Sequence, residues 1–163
     1  MKLNYLNIIV LSISIVLSSC GYSMRVSLDI PSSIETVSVI SNEYSELVNI
    51  LNSSLVLSKI ELSSSKTDNI YRINLISEKF NRRQLSINIS GRVNEYELIY
   101  NVDFELQAPN GKPISERITL YRDYSFDENN VMGNTDREDY IKKDMMSTAS
   151  TLIFNKLKAL TNN

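Results

Sequence analysis

Residues 95–106 read EYELIYNVDFEL. Tyr96, Leu98, Tyr100, Val102, Phe104 and Leu106 fall on one side of an extended chain, and Glu97, Asn101, Asp103 and Glu105 on the other. Successive side chains of a strand point to opposite faces, so this alternation predicts a strand with one buried face and one polar face. A one-faced strand needs neighbours and a cover, and the flanking sequence supplies both.

Upstream, Tyr71, Ile73 and Leu75 alternate with Arg72 and Asn74 over 70–80, and the pattern resumes at Leu85, Ile87 and Ile89. Gly91 can turn the chain between these runs and the 95–106 strand. Downstream, Pro109-Asn110-Gly111 is a hairpin turn signal, and Ile118, Leu120, Tyr124 and Phe126 share a face over 114–126. Near the start of the domain, Ile34 to Ile40 is β-branched and predicts a short strand. Asn42 is placed to cap a helix over 43–56, in which Tyr44, Leu47, Val48, Leu51 and Leu55 recur at helical spacing. The serines and Asp68 at 63–69 read as a loop. A last helix is predicted from a capping box, Thr135 to Glu138, followed by Ile141, Met145, Ala149, Leu152, Lys156, Leu157 and Leu160, with Ile153 beside them. The order strand, helix, three antiparallel strands, helix predicts an α+β two-layer sandwich. Its sheet is about four-stranded and mixed or antiparallel, with two helices on one face.

The first twenty residues carry a different message. Lys2 is the only charge before position 20, and Ile8 to Leu17 is apolar apart from two serines. Ten residues make about 15 Å of helix, too short to span a bilayer, so the stretch reads as the core of a signal peptide. Leu17-Ser18-Ser19-Cys20 matches the lipobox of bacterial lipoproteins: an aliphatic residue, two small ones, then Cys. That resemblance implies a diacylglyceryl group on the sulfur, cleavage before Cys20 and acylation of the new amine. Several acyl chains, at about 0.8 kcal/mol per buried CH2, anchor effectively permanently. An ordinary signal peptide with a stray Cys, or a frayed core helix, is the plainer alternative. Gly21 stands where an Asp would signal retention at the inner membrane, so the outer membrane is the expected address. The organisation is therefore 1–19 signal peptide, 20–33 lipidated extended tether, with Val26, Leu28 and Ile30 alternating up to Pro31, and 34–163 a single domain.

Composition narrows the chemistry. The chain has no His and one Cys, which excludes Cys/His metal sites and a Cys–His nucleophile. A net charge of −2 argues against nucleic acid as a partner. The carboxylate pairs Glu95/Glu97 and Asp103/Glu105 lie at i,i+2 on a polar strand face and read as solvated surface before they read as an acid/base dyad. No catalytic or metal-ligating residue is assigned, and no cofactor is expected beyond the covalent lipid. Lys79, Arg82 and Arg83 fall close together in sequence, Arg92 sits at the next turn, and Arg137 near the last helix start. Arg forks recognise phosphate bidentately, so these five are candidate contacts for a phosphate group, with a solvated turn as the alternative.

Several stretches together resemble the LptE family of lipopolysaccharide-assembly lipoproteins. Cys20-Gly21-Tyr22-Ser23-Met24-Arg25 is similar to the family's Cys-Gly-aromatic-x-Leu-Arg start, with Ile30-Pro31 where Leu-Pro is usual. Asn94 to Leu98 resembles its Glu-Tyr opening of a long strand, and Arg122 to Asp127 its Arg-x-aromatic strand end. Asn129 to Met132, then Glu138, completes the order. The resemblance implies an outer-membrane subunit that plugs and helps assemble a β-barrel partner, LptD, and contacts lipopolysaccharide, an anionic glycolipid for which Lys79, Arg82, Arg83, Arg92 and Arg137 are the candidate contacts. The other reading is a periplasmic adaptor of the cell wall or a pilotin of a secretion system. Intact-mass measurement of the exported chain should show a cleaved leader and an acylated Cys20; a bare thiol would overturn the anchor.

Overall fold

The computed structural model describes residue 31, residues 33–64 and residues 69–162. The lipobox, Cys20, the Cys-Gly-Tyr motif and the alternating Val26, Leu28 and Ile30 lie outside the described residues, as do four positions of the 63–69 loop.

The elements in chain order are β1 (Thr36–Ser41), α1 (Glu46–Leu57), β2 (Glu61–Leu62), β3 (Tyr71–Ile87), β4 (Val93–Gln107), β5 (Ile114–Ser125) and α2 (Val131–Ala159), closed by a 3-10 turn at Leu160–Asn162. They form one sheet in the order β2-β1-β3-β4-β5. β1 runs parallel to both β2 and β3, while β3, β4 and β5 are antiparallel. The α+β sandwich holds, with one strand more than expected. β2 has only two residues, too few to show a period, and its existence is set by pairing with Thr36 and Val37.

The core lies between the sheet and the helices. α1 contributes Leu47, Leu51 and Leu55, and α2 contributes Met145, Met146, Ala149, Ile153, Phe154 and Leu157. Opposite them stand Ile73 and Leu75 of β3, Leu98 to Leu106 of β4 at every second position, and Ile118 of β5. Leu152, expected inside, is 37% exposed, and Ile153 and Phe154 fill that part of the core.

Both helix starts differ from expectation. Ser45, not Asn42, caps α1: it is extended (φ −141°, ψ 129°) and its Oγ accepts from the Val48 amide at 3.2 Å. Ser41 Oγ instead ties back the chain at Glu43, donating to its carbonyl at 2.8 Å. Tyr44 therefore precedes the helix and stands 89% exposed. α1 ends in a Schellman motif with Lys59 in the left-handed region (φ 61°), its amide and that of Ile60 donating back to Val56 and Leu55. α2 begins four residues before the expected capping box. Asn130 is its cap, accepting from the Gly133 amide at 3.0 Å, and Thr135 and Glu138 lie within the helix. Both turns expected from the sequence are present: Gly91 adopts φ 75° between β3 and β4, and Asn110 φ 56° between β4 and β5.

β3 carries the feature that sets the faces. Leu75 pairs with Phe104 and Ser77 with Asp103, leaving Ile76 as an extra residue. Such a bulge shifts side-chain parity by one. Ile73 and Leu75 face the helices before it; Glu78, Phe80 and Arg82 face them after it. Phe80 stacks on Tyr100 at 4.0 Å between ring centroids. Leu85, Ile87 and Ile89 sit at the far end of the hairpin, 44, 62 and 108% exposed.

Phe104 is fully buried, and Phe104→Ala should cost about 3–5 kcal/mol in urea unfolding. Ile89→Ser, at an exposed turn, should stay within about 0.5 kcal/mol of the parent.

Candidate functional site: an uncovered polar sheet face

All described helices pack on one side, so no described helix covers the other. Its side chains form cross-strand rows that satisfy one another. Arg72 donates to Gln107 at 2.9 Å, Asn74 to Glu105 at 3.2 Å, and Thr119 to Asn101 at 2.9 Å. Ser77 donates to Asp103 at 2.9 Å, and Arg117 clamps the same carboxylate through two nitrogens, Nη2 at 3.0 Å from Oδ2. Ser86 donates to Glu95 at 2.6 Å. Arg83 Nε stands 2.5 Å from Glu97 Oε2 without hydrogen-bond alignment, so charge attraction is what holds that pair.

Each carboxylate of Glu95, Glu97, Asp103 and Glu105 has a cross-strand partner. The Arg117 hydrogen bond, helped by the bond from Ser77 and the Arg117 charge, holds the Asp103 carboxyl below its usual range against the opposing effect of burial. A general acid needs the opposite shift. Among the described residues no three carboxylates or other ligands gather to hold a metal ion.

The five basic candidates do not form one cluster. Neighbours in a strand face opposite ways, so Arg82 lies on the helix side while Lys79 and Arg83 lie on the uncovered side. Arg92, at the hairpin end, pairs with Glu128. Arg137 is exposed on α2. Among the described residues neither Lys79 nor Arg137 has an ion-pair partner.

Arg82 belongs to a structural junction. Its guanidinium lies 4.4 Å from the Tyr96 ring centroid and 3.0 Å from Glu138 of α2. Tyr124 donates to the same Glu138 oxygen at 2.7 Å, and Lys142 reaches the other at 2.7 Å. Tyr96 packs on Tyr124 and, edge-on, on Phe126. Hydrogen bonding to Tyr124 and the charge of Glu138 raise the Arg82 pKa. Burial works against the Glu138 charge, but the bonds from Lys142, Tyr124 and Arg82 outweigh it and hold the carboxyl below its usual value. A second junction ties α1 to β3: Glu78 accepts from Ser45 at 2.5 Å and from Tyr100 at 2.6 Å, and burial with this bond keeps the Tyr100 phenol protonated. Sequence reasoning missed both junctions, because the Ile76 bulge decides that Glu78 and Arg82 turn inward. The signal available was the break in apolar alternation after Leu75.

The profile of the family LptE: Lipopolysaccharide-assembly matches residues 34–157, which spans β1 to the last turn of α2. The chain belongs to the LptE family. Lipopolysaccharide assembly is therefore the process it serves. Solved structures agree on the fold. Rare lipoprotein B from Shewanella oneidensis is 26% identical with a TM-score of 0.73, covering 78% of this chain and 97% of that one. Lipoprotein B from Nitrosomonas europaea is 22% identical with a TM-score of 0.71, covering 87 and 93%. A minor lipoprotein from Acinetobacter baumannii is 19% identical with a TM-score of 0.63, covering 80 and 96%. Comparison with curated proteins finds no match. Among the described residues of this LptE-family chain, no helix is long and apolar enough to cross a membrane.

Glu138, depressed in the fold, stabilises it fully above the carboxylate's unfolded pKa of about 4.3, and loses that contribution as pH falls through the lower folded value. Urea unfolding of Glu138→Gln should therefore differ most from the parent at pH 7, and the gap should close below about pH 4. A gap independent of pH would mean that shape, not charge, fixes the junction.

Proposed function

We propose that the chain is the lipid-anchored subunit of the lipopolysaccharide export machine: it sits within the lumen of its partner β-barrel, LptD, helps that barrel assemble, and contacts lipopolysaccharide in transit to the outer leaflet. Family membership supports the process. The observation that carries the plug reading is the helix-free sheet face, which is wide, polar and internally paired. A barrel lumen is polar and wet. A face that already satisfies its own hydrogen bonds can lie against such a wall without stranding charges, and its side chains need not be desolvated one by one.

The anchor belongs to the same reading. Acyl chains on Cys20 hold the domain at the inner surface of the outer membrane and raise its effective concentration near the barrel. The eleven residue steps from Cys20 to Pro31 reach at most about 36–40 Å, which lets the folded body enter the barrel while its lipids stay in the leaflet.

For the glycolipid, Lys79 and Arg83 are the better placed pair, because both lie on the uncovered face and four residues of strand put them about 13 Å apart. Arg82 is occupied by α2. Gentle detergent extraction should bring the chain down with a large β-barrel near one-to-one, and recovery as a lone monomer would sink the plug reading. Lys79→Ala should weaken lipopolysaccharide crosslinking with little change in stability, and adding Arg83→Ala should weaken it further at some cost in stability, because Glu97 loses its partner. Arg82→Ala should instead lower stability by about 1–2 kcal/mol through its bond to Glu138. Equal crosslinking in all three would retire these basic residues as ligand contacts.

A further inference from the structure

Most rows of the polar sheet face bond across the strands, but two at its centre do so only in part. Toward one end, Arg72, Asn74 and Ser77 bond to β4. Toward the other, Arg83 meets Glu97 and Ser86 donates to Glu95. Between them the register sets two rows, Lys79–Asn101–Thr119 and Asn81–Ile99–Tyr121. The first holds one hydrogen bond, from Thr119 to the Asn101 side-chain oxygen at 2.9 Å. The second holds none. Among the described residues, the Asn81 amide and the Tyr121 phenol have no hydrogen-bond partner, and Lys79 has no ion pair.

Tyr121 is 54% exposed, and Ile99 beside it on β4 is half-buried. Strands about 4.8 Å apart, with alternate residues about 6.7 Å apart, give the two rows an area of roughly 10 by 7 Å. The patch joins an aromatic ring and an aliphatic side chain to two amides, a hydroxyl and a lysine. A sugar ring has the complementary build. One face of C–H bonds can lie on an aromatic ring, and its rim of hydroxyls suits amides that both donate and accept. An acyl chain would strand Asn81, Asn101 and Lys79 away from water. A bare phosphate would leave Tyr121 and Ile99 unused.

We propose that this central patch is a saccharide subsite for the glycolipid. A sugar ring lies on Tyr121 and Ile99, its hydroxyls bond Asn81 and Asn101, and an anionic substituent on it reaches Lys79. The proposal rests on the lipopolysaccharide reading above and adds to it the residues that read the sugar rather than the phosphate. Lys79 and Tyr121 stand at opposite corners of the patch, with about 12 Å between their backbones. The long lysine stem covers much of that gap. Lys79 supplies a charge-assisted bond, and Tyr121 fixes how the ring lies.

The test titrates the full chain in detergent with two probes and follows the side-chain amide resonances of Asn81 and Asn101. Alkali-deacylated lipopolysaccharide keeps sugars and phosphates; phosphatidic acid has a phosphate and acyl chains but no sugar. The first should shift both amides and the second should not. Tyr121→Ala should weaken the deacylated probe about tenfold, whereas Tyr121→Phe, which keeps the ring, should bind as the parent does. Tyr121 is exposed, so neither change should disturb the fold. Equal shifts with phosphatidic acid, no shift with either probe, or equal weakening by Ala and Phe would each overturn the proposal. So would unchanged sugar binding in Tyr121→Ala with loss of the barrel, which would assign the ring to the barrel wall. Crosslinking of intact lipopolysaccharide at Lys79 in a chain that ignores the deacylated probe would sink the sugar subsite alone and leave the export reading standing.

Discussion

One extra residue, Ile76, lets a 17-residue strand serve two different surfaces. Before the bulge, β3 sends Ile73 and Leu75 into the same core as Leu47, Leu51 and Leu55 of α1. Beyond it, an unshifted register would turn Ser77, Lys79, Asn81 and Arg83 to the helix side and send Phe80 out to water. Burying Lys79 and Arg83 without partners would be prohibitive in an apolar core. The shift instead sends Glu78, Phe80 and Arg82 inward, each with a partner, and leaves the remaining residues to the polar face. Both junctions that lock the helices down, Ser45–Glu78–Tyr100 and Arg82–Glu138–Tyr124, exist because of it.

The parts legible in the sequence are those where a long pattern meets a single decision. Strand β4 alternates without a break over residues 95–106, and its faces, its turns at Gly91 and Asn110, and the two helices that must cover it follow. The parts that were not legible are those where neighbours compete. Asn42 and Ser45 are both good caps three residues apart; Ser45 takes the role where its hydroxyl also reaches Glu78, a partner 33 residues away. Thr135 and Glu138 fit a capping box, yet Asn130 caps, and Asn134 fixes that end by bonding the Asp127 amide at 3.0 Å and its carbonyl at 2.6 Å. Glu138 is then released from local capping to meet Arg82 and Tyr124. Local motifs lost in each case to a tertiary contact that a single segment cannot reveal.

The candidate surface was legible as a polar stripe but not as a network. The carboxylates of β4 look solvated in sequence; in the fold they are partly buried, and each is bonded across the strands. Adjacent cations such as Arg82 and Arg83 look like one cluster in sequence and cannot be one in a strand, where they face opposite ways. The same logic separates what holds the fold from what is left for a partner. Arg82, Arg117 and Glu138 are committed internally, whereas Lys79 and Arg137 are not.

A self-satisfied polar face has a consequence for how such a domain can dock. Isolated exposed ion pairs contribute little to stability, about 0–1 kcal/mol each, so the rows are not there chiefly to hold the sheet together; the core does that. Their effect is felt when water is removed. Against a wet, polar wall the pairs keep one another neutral, so contact needs neither a matched counter-charge at every position nor a continuous apolar patch. Binding of that kind would be broad and tolerant, and would leave specificity to side chains that have no ion-pair partner in the fold, such as Lys79 on the same face.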